Sequence, residues 1–320
     1  MTNIPLSGAY TPLSESYSEA AALTHLSGNI LLVTDIDQNL YKITTTGVVT
    51  FVGGMDHVAK GLAFVNGPVT SLVAAVLPSS RSVQVGTTAT AFAALINAGS
   101  ERAIACALTL VTSLPATFAY QTTDPATNQV IGSPNTPVNV EARATQSFVF
   151  ALTPTAPIAP TDVQLSFDCA NSDLAPINTG LNTLLLSASS TPVPDVVALA
   201  ATHTNDGIVD IPGATGTGAF AVATVNVGVN GSITASADTG GASLPVMIFI
   251  CQTNPGTGAC LASPSSTVMT TINANATPTF AVFVQGSGNV PFDPAANRIF
   301  VRFSSGGVTR GSTSVAVRTQ

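Results

Sequence analysis

The sequence predicts an all-β fold: two tandem antiparallel β-sandwiches behind a short β-meander. Two observations carry this reading. First, Ser113-Leu114-Pro115 running to Gln121-Thr122-Thr123-Asp124-Pro125-Ala126-Thr127 recurs as Ser243-Leu244-Pro245 running to Gln252-Thr253-Asn254-Pro255-Gly256-Thr257. A copy set a whole domain away, rather than the roughly 20 to 50 residues of a solenoid, says that one folding unit was duplicated. Second, the chain reads as short alternating runs separated by Pro and Gly, with helical signals nearly absent.

Taken in order, residues 1–70 hold strand-like runs at Ala20 to His25, Asn29 to Thr34, Leu40 to Thr44, Val48 to Val52 and Gly61 to Val65, separated by turn chemistry such as Ser27-Gly28 and Thr46-Gly47. Residues 71–190 form the first copy, opening at Leu77-Pro78-Ser79-Ser80 and continuing through Ala103 to Leu110, Thr117 to Gln121, Gln146 to Leu152, Asp162 to Cys169 and Asn182 to Ala188. Ser189-Ser190-Thr191-Pro192-Val193-Pro194 reads as an extended, stiff spacer, and the second copy fills the rest of 191–320. Asn97-Ala98-Gly99 matches Asn226-Val227-Gly228, Ala91-Phe92 matches Ala219-Phe220, and Asn139 to Phe150 matches Ile272 to Phe283. In this register Phe92, Phe150 and Phe167 are expected to be buried where Phe220, Phe283 and Phe303 are buried, with Phe148 falling on Ala281.

Composition narrows the function classes. Charged residues are 8% of the chain, against about 25% in a typical soluble domain, so the surface must be built from hydroxyls, amides and small apolar groups. A net charge of -7, with nine scattered Lys and Arg, argues against nucleic acid as a partner. The lack of Trp and the 6% aromatic content count against stacking platforms for sugars or bases. Mean hydropathy is high at +0.43, yet apolar runs such as Val246 to Cys251 fall far short of the roughly 20 residues that cross a bilayer.

Four cysteines permit three pairings. Cys251 and Cys260 flank the turn-rich Asn254 to Gly258 and are expected to face each other across a hairpin, leaving Cys106 to pair with Cys169; buried free thiols in a cytosolic protein are the competing reading. In the same hairpin of the first copy, Tyr120 is expected opposite Gln129 or Val130. Disulfides imply an oxidising compartment. The chain opens Met1-Thr2-Asn3-Ile4-Pro5 without the basic and apolar regions of a signal peptide, so export is expected to be encoded elsewhere, or the chain to be the C-terminal part of a longer exported one.

Two resemblances sharpen the fold. Asn39-Leu40-Tyr41-Lys42-Ile43, Thr46-Gly47, Val48 to Gly53 and Gly61-Leu62-Ala63-Phe64 resemble one blade of secreted β-propeller repeats. Asn97-Ala98-Gly99, Glu141 to Phe150 and Leu165 to Cys169, with Asn226-Val227-Gly228, Asn273 to Phe283 and Ile299 to Phe303, resemble the CARDB kind of bacterial immunoglobulin-like domain. That resemblance implies two immunoglobulin-like sandwiches and no activity. Copy one departs from the family at Glu141-Ala142-Arg143-Ala144, where members carry a bend rich in Pro and Gly.

Chemistry-bearing residues are sparse. The histidines are His25, His57 and His203, none in the company of a catalytic base, and no Gly-x-Ser-x-Gly occurs. Of the glutamates Glu15, Glu19, Glu101 and Glu141, only Glu141 lies in a duplicated landmark, and its counterpart is Ala274. Zinc spacing is absent from the cysteines. Thr202 to Asp210 contains an Asp-Gly-x-Val-Asp core like that of a calcium loop, with Asn205, Asp206 and Asp210 as candidate ligands, but no carboxylate stands where the final bidentate ligand belongs. A β-turn at Asn205-Asp206-Gly207 is the competing reading. The expectation is therefore a non-enzymatic, cofactor-free structural or interaction module at a bacterial surface. It is expected to bind a protein partner or itself through the N-terminal edge strands; recognition of a glycan or surface ligand through sandwich loops is the alternative.

Overall fold

Alternation of β-branched and small residues between turn residues gives strands throughout, and no helix occurs among the described residues. The computed structural model describes residues 20–26, 30–35, 39–44, 49–54 and 71–320, in a chain that divides into two units, Met1–Gly67 and Pro68–Gln320. In the first unit β1 (Ala20–Leu26), β2 (Ile30–Asp35), β3 (Asn39–Thr44) and β4 (Val49–Gly54) make an antiparallel meander in that order. Leu32 pairs with Thr24 on one side and Lys42 on the other, and Lys42 pairs with Thr50. Among the described residues β1 and β4 are free edges. The expected run Gly61 to Val65 lies outside the described residues.

The second unit contains the duplication. Its first copy runs β5 (Leu72–Leu77), β6 (Ser80–Gln84), β7 (Ala89–Asn97), β8 (Ala103–Leu110), β9 (Ala116–Thr123), β10 (Val138–Val140), β11 (Thr145–Pro154), β12 (Ile158–Asp168) and β13 (Thr183–Ser189). The second runs β14 (Val196–Thr202), β15 (Ile208–Ile211), β16 (Thr217–Asn226), β17 (Gly231–Asp238), β18 (Val246–Thr253), β19 (Thr267–Ile272), β20 (Thr279–Gly286), β21 (Arg298–Ser305) and β22 (Val308–Thr319). Sheet orders are β5-β7-β11-β9 facing β10-β8-β12-β13-β6, and β14-β16-β20-β18 facing β19-β17-β21-β22-β15. The two copies are thus the same strand for strand. The four-stranded order corresponds to A-B-E-D of an immunoglobulin sandwich, facing a C-F-G sheet. To that sheet the chain adds two edge strands, a parallel one, β6 on β13 and β15 on β22, and an antiparallel one, β10 on β8 and β19 on β17.

Each sandwich closes on its own core. In copy one Phe148, Phe150 and Phe167 are fully buried, and in copy two Phe280 and Phe303 meet edge-to-face with ring centroids 5.2 Å apart. The expected register was one residue off in two strands. Phe92 is 42% exposed while Ala91 and Ala93 are buried, and Phe283 lies on the outer, half-buried face while Phe280 takes the place of Phe148. The anchors are hydroxyl pairs: Thr123 Oγ1 donates to Ser147 Oγ at 2.7 Å, and Thr253 meets Thr279 at 2.6 Å. A single-residue slip carries a whole strand to the other face. The expected partner of Tyr120 was also wrong: its N–H donates to Asn135 Oδ1 at 2.9 Å, whereas Val130 bridges Thr123 as Cys260 bridges Thr253. Both expected disulfides, Cys106–Cys169 and Cys251–Cys260, are formed.

The Asn-x-Gly landmark is a buried tie. Asn97 accepts from Gly99 N–H and donates to the carbonyls of Glu101 and Val140, and Asn226 does the same with Gly228, Val229 and Ile272. The turn it holds carries a left-handed residue, Arg143 at φ 59° and Asn275 at φ 63°. Asn enters that region more readily than Arg. Replacing Arg143 by Asn, the residue used in the second copy, is expected to stabilise the protein by up to about 1 kcal/mol. A thermal melt reads this as a higher Tm; an unchanged or lower one would show that the Arg143 side chain contributes something the turn does not.

The linker is not a spacer, because the two sandwiches touch. Strand β6, the outer edge of copy one, meets β22 and the start of β14 through side chains rather than a backbone ladder. Ser80 Oγ accepts from Ser312 N–H and donates to its carbonyl, which Ser79 Oγ also reaches at 2.9 Å. Asp195, directly after the prolines, accepts from the Ser82 N–H at 2.8 Å and forms an ion pair with Arg81 at 2.9 Å. Its own N–H donates to Asn226 Oδ1. The carboxylate therefore caps an edge-strand amide of one copy while its backbone belongs to the other. Arg310 adds a donor to the hydroxyls of Ser82 and Ser187, at 3.1 and 3.4 Å, and burial lowers its pKa.

Candidate functional site

The serine-rich seam leaves a cleft of about 750 Å³ beside it, walled by both sandwiches. Copy two supplies one wall from the outer face of β21. Alternation sends Ile299, Val301 and Phe303 into the core and Arg298, Phe300 and Arg302 outward. Arg302 lies 5.1 Å over the Phe300 ring and forms a fork with Asp238 at 2.7 and 3.3 Å. Phe300 is wedged between Gly180 of copy one and Gly240 of copy two; both have positive φ, and a Cβ on either would strike the ring.

Arg298 is 5% exposed and has no carboxylate partner among the described residues. Its Nε and Nη2 straddle the Ser314 hydroxyl at 3.0 and 2.9 Å, and Nη1 donates to the Pro294 carbonyl at 2.8 Å. Burial lowers its pKa to about 10. The Ser314 hydroxyl in turn donates a hydrogen bond to the Gly180 carbonyl at 2.7 Å, so the arginine is held across the seam. Copy one contributes Asp162, whose two oxygens accept from Thr183 at 2.7 Å and Thr179 at 3.0 Å.

The candidates named from sequence lie elsewhere. Asn205 and Gly207 take positive φ in a turn where Asp206 Oδ1 accepts from the Ile208 N–H and the Thr202 hydroxyl. The amide of Ile208, with the turn hydroxyls, holds the Asp206 carboxyl below its ordinary range. Asp210 is instead engaged by Arg318 at 2.7 Å. The β-turn therefore accounts for Asn205 and Asp206, and an ion pair for Asp210. Among the described residues no three His, Cys, Asp or Glu side chains gather in one place. His203 is exposed, and nothing is described for His57. Glu141 forms an exposed pair with Arg102 at 3.7 Å. Sequence reasoning missed Arg298, Arg302, Asp162 and Asp238. One signal was available, since Arg-x-Phe-x-Arg in a chain with 8% charge puts two cations on one strand face.

No family model matches the chain, and no curated protein matches it. Among solved structures, the secreted serine protease VesC from Vibrio cholerae is similar over 88% of this chain at 10% identity, with a TM-score of 0.24. This chain spans 64% of that protein's length. A likeness of this size carries no argument about activity.

Proposed function

We propose that the protein is a non-catalytic structural or interaction module of an exported bacterial protein, working through protein contacts. The observation that carries this reading is the outer face of both four-stranded sheets. None of the eight strands in β5-β7-β11-β9 and β14-β16-β20-β18 contains a charged residue. On copy one the rows are Leu77-Phe92-Val149 and Val73-Ile96; on copy two they are Ala219-Phe283-Phe249 and Leu199-Ala223. Phe92, Leu77, Leu199 and Phe249 are all exposed. Exposed apolar patches of this kind mark interaction surfaces. The two disulfides are compatible with an oxidising, extracellular setting, and the edges of the N-terminal meander, free among the described residues, offer a second place for strand addition.

Size-exclusion chromatography with light scattering tests this on the full chain and on one starting at Ser71. The full chain is expected to self-associate, and a monodisperse monomer would sink the assembly reading. A monomeric shorter chain would assign assembly to the N-terminal strands. A shorter chain that assembles until Phe92→Lys and Phe249→Lys are introduced would assign it to the sheet faces.

A further inference from the structure

The geometry points to the cleft between the two sandwiches as a binding site for a neutral, hydroxyl-rich ligand, a saccharide in chemical class. Such sites favour domain junctions, and the cleft's volume of about 750 Å³ falls within the roughly 300–1,000 Å³ typical of small-ligand pockets. Neither sandwich contains the site alone. Asp162 comes from the first copy, and Asp238, Arg298 and Arg302 from the second.

Charge decides the ligand class. Among the described residues these four are the only charged ones lining the cleft, two of each sign, and Arg302 and Asp238 already neutralise each other. An ion of either sign would meet no net attraction. A carboxylate or phosphate would also need a guanidinium fork, and the Nε/Nη2 fork of Arg298 is spent on Ser314. A guanidinium has five N–H groups, and four of those on Arg298 are engaged by Ser314 and Pro294. One Nη1–H remains, which suits a single hydroxyl oxygen. Across the cleft each Asp162 oxygen accepts one threonine hydroxyl and keeps a further lone pair for a ligand O–H. Donor on one wall and acceptor on the other match a sugar hydroxyl, which is both. Small residues, Gly241, Ala242, Ala295 and Ala296 among them, line the space and let a ring approach the backbone.

The experiment is saturation-transfer NMR backed by calorimetry on the full chain. The probes are cellohexaose, maltohexaose and a hexamer of N-acetylglucosamine, with a hexamer of galacturonate as the acidic comparison. At least one neutral hexamer is expected to bind. Gly241→Phe should abolish that binding, because a Cβ at Gly241 meets nothing within 4 Å and its φ is not positive, so the ring can fill the cleft without straining the turn. Asp162→Asn should weaken it by about tenfold or more. Gly241→Phe should keep the parent's Tm, and both variants its light-scattering mass, which separates this site from the assembly surfaces above. Silence from all three neutral hexamers, tighter binding of the galacturonate, or binding that survives Gly241→Phe would each overturn the assignment.

Discussion

Replacing Asp195 by alanine is expected to cost about 3–5 kcal/mol and to separate the unfolding of the two sandwiches. The side chains of Arg81 and Asp195 are 14% and 4% exposed, so removing the carboxylate leaves a guanidinium enclosed without an anion and the Ser82 N–H without an acceptor. The pair is not thereby a net stabiliser. Burial raises the Asp195 pKa against the downward pull of Arg81 and the Ser82 amide, which means that desolvation costs the carboxylate more than its partners return. Replacing both residues by apolar ones, Arg81→Met with Asp195→Leu, should therefore recover most of the loss. Urea unfolding followed by circular dichroism reads both. A loss below about 1 kcal/mol for the single variant, the range of an exposed pair, would show that the clasp is open in solution.

The same shift fixes a sign for pH. A raised carboxyl pKa contributes stability in its protonated form, fully present below the ordinary value of 3.8 and lost as pH rises through the folded value. Asp195 should therefore resist acid. Asp124 behaves the other way. The Thr127 amide first, then that of Ala126, lowers its pKa, so its contribution is present above 3.8 and fades as pH falls through the lowered value.

The duplication, the all-β class and the cysteine pairing were legible because each is local: a repeated turn, a run of alternation, a short hairpin. Register was not, and Ala91-Phe92-Ala93 shows why. A strand reads its faces from polar residues on one side, and here the outer face is as apolar as the inner one, so Phe92 looks like core. Ala281-Val282-Phe283 fails for the same reason. The cleft was illegible on different grounds. Arg298 and Arg302 share a strand, but Asp162 belongs to the other sandwich, and nothing in the spacing of Pro192-Val193-Pro194 says that the copies touch. That contact rests on Ser80, Ser82 and Ser312, residues that read from sequence as ordinary solvated hydroxyls.

The two disulfides form an internal comparison, because each copy carries the one its counterpart lacks. At the place of Cys106 the second copy has Ile233, buried in the core, and at the place of Cys251 the first copy has Gln121. Both sandwiches close all the same, so neither bridge defines the fold and each should act through the unfolded chain. The sequence separations are 63 for Cys106–Cys169 and 9 for Cys251–Cys260. Loop entropy then gives about 4 kcal/mol for the first and about 2.5 kcal/mol for the second. Replacing both cysteines of one bridge by alanine, Cys106→Ala with Cys169→Ala or Cys251→Ala with Cys260→Ala, should lower urea stability in that order. If the short bridge costs as much as the long one, loop entropy is not the governing effect. The loss at Cys251 would then lie in the native hairpin, where the bridge ties Cys260 to β18 beside the isolated backbone bridges Thr253–Cys260 and Ile250–Ser265.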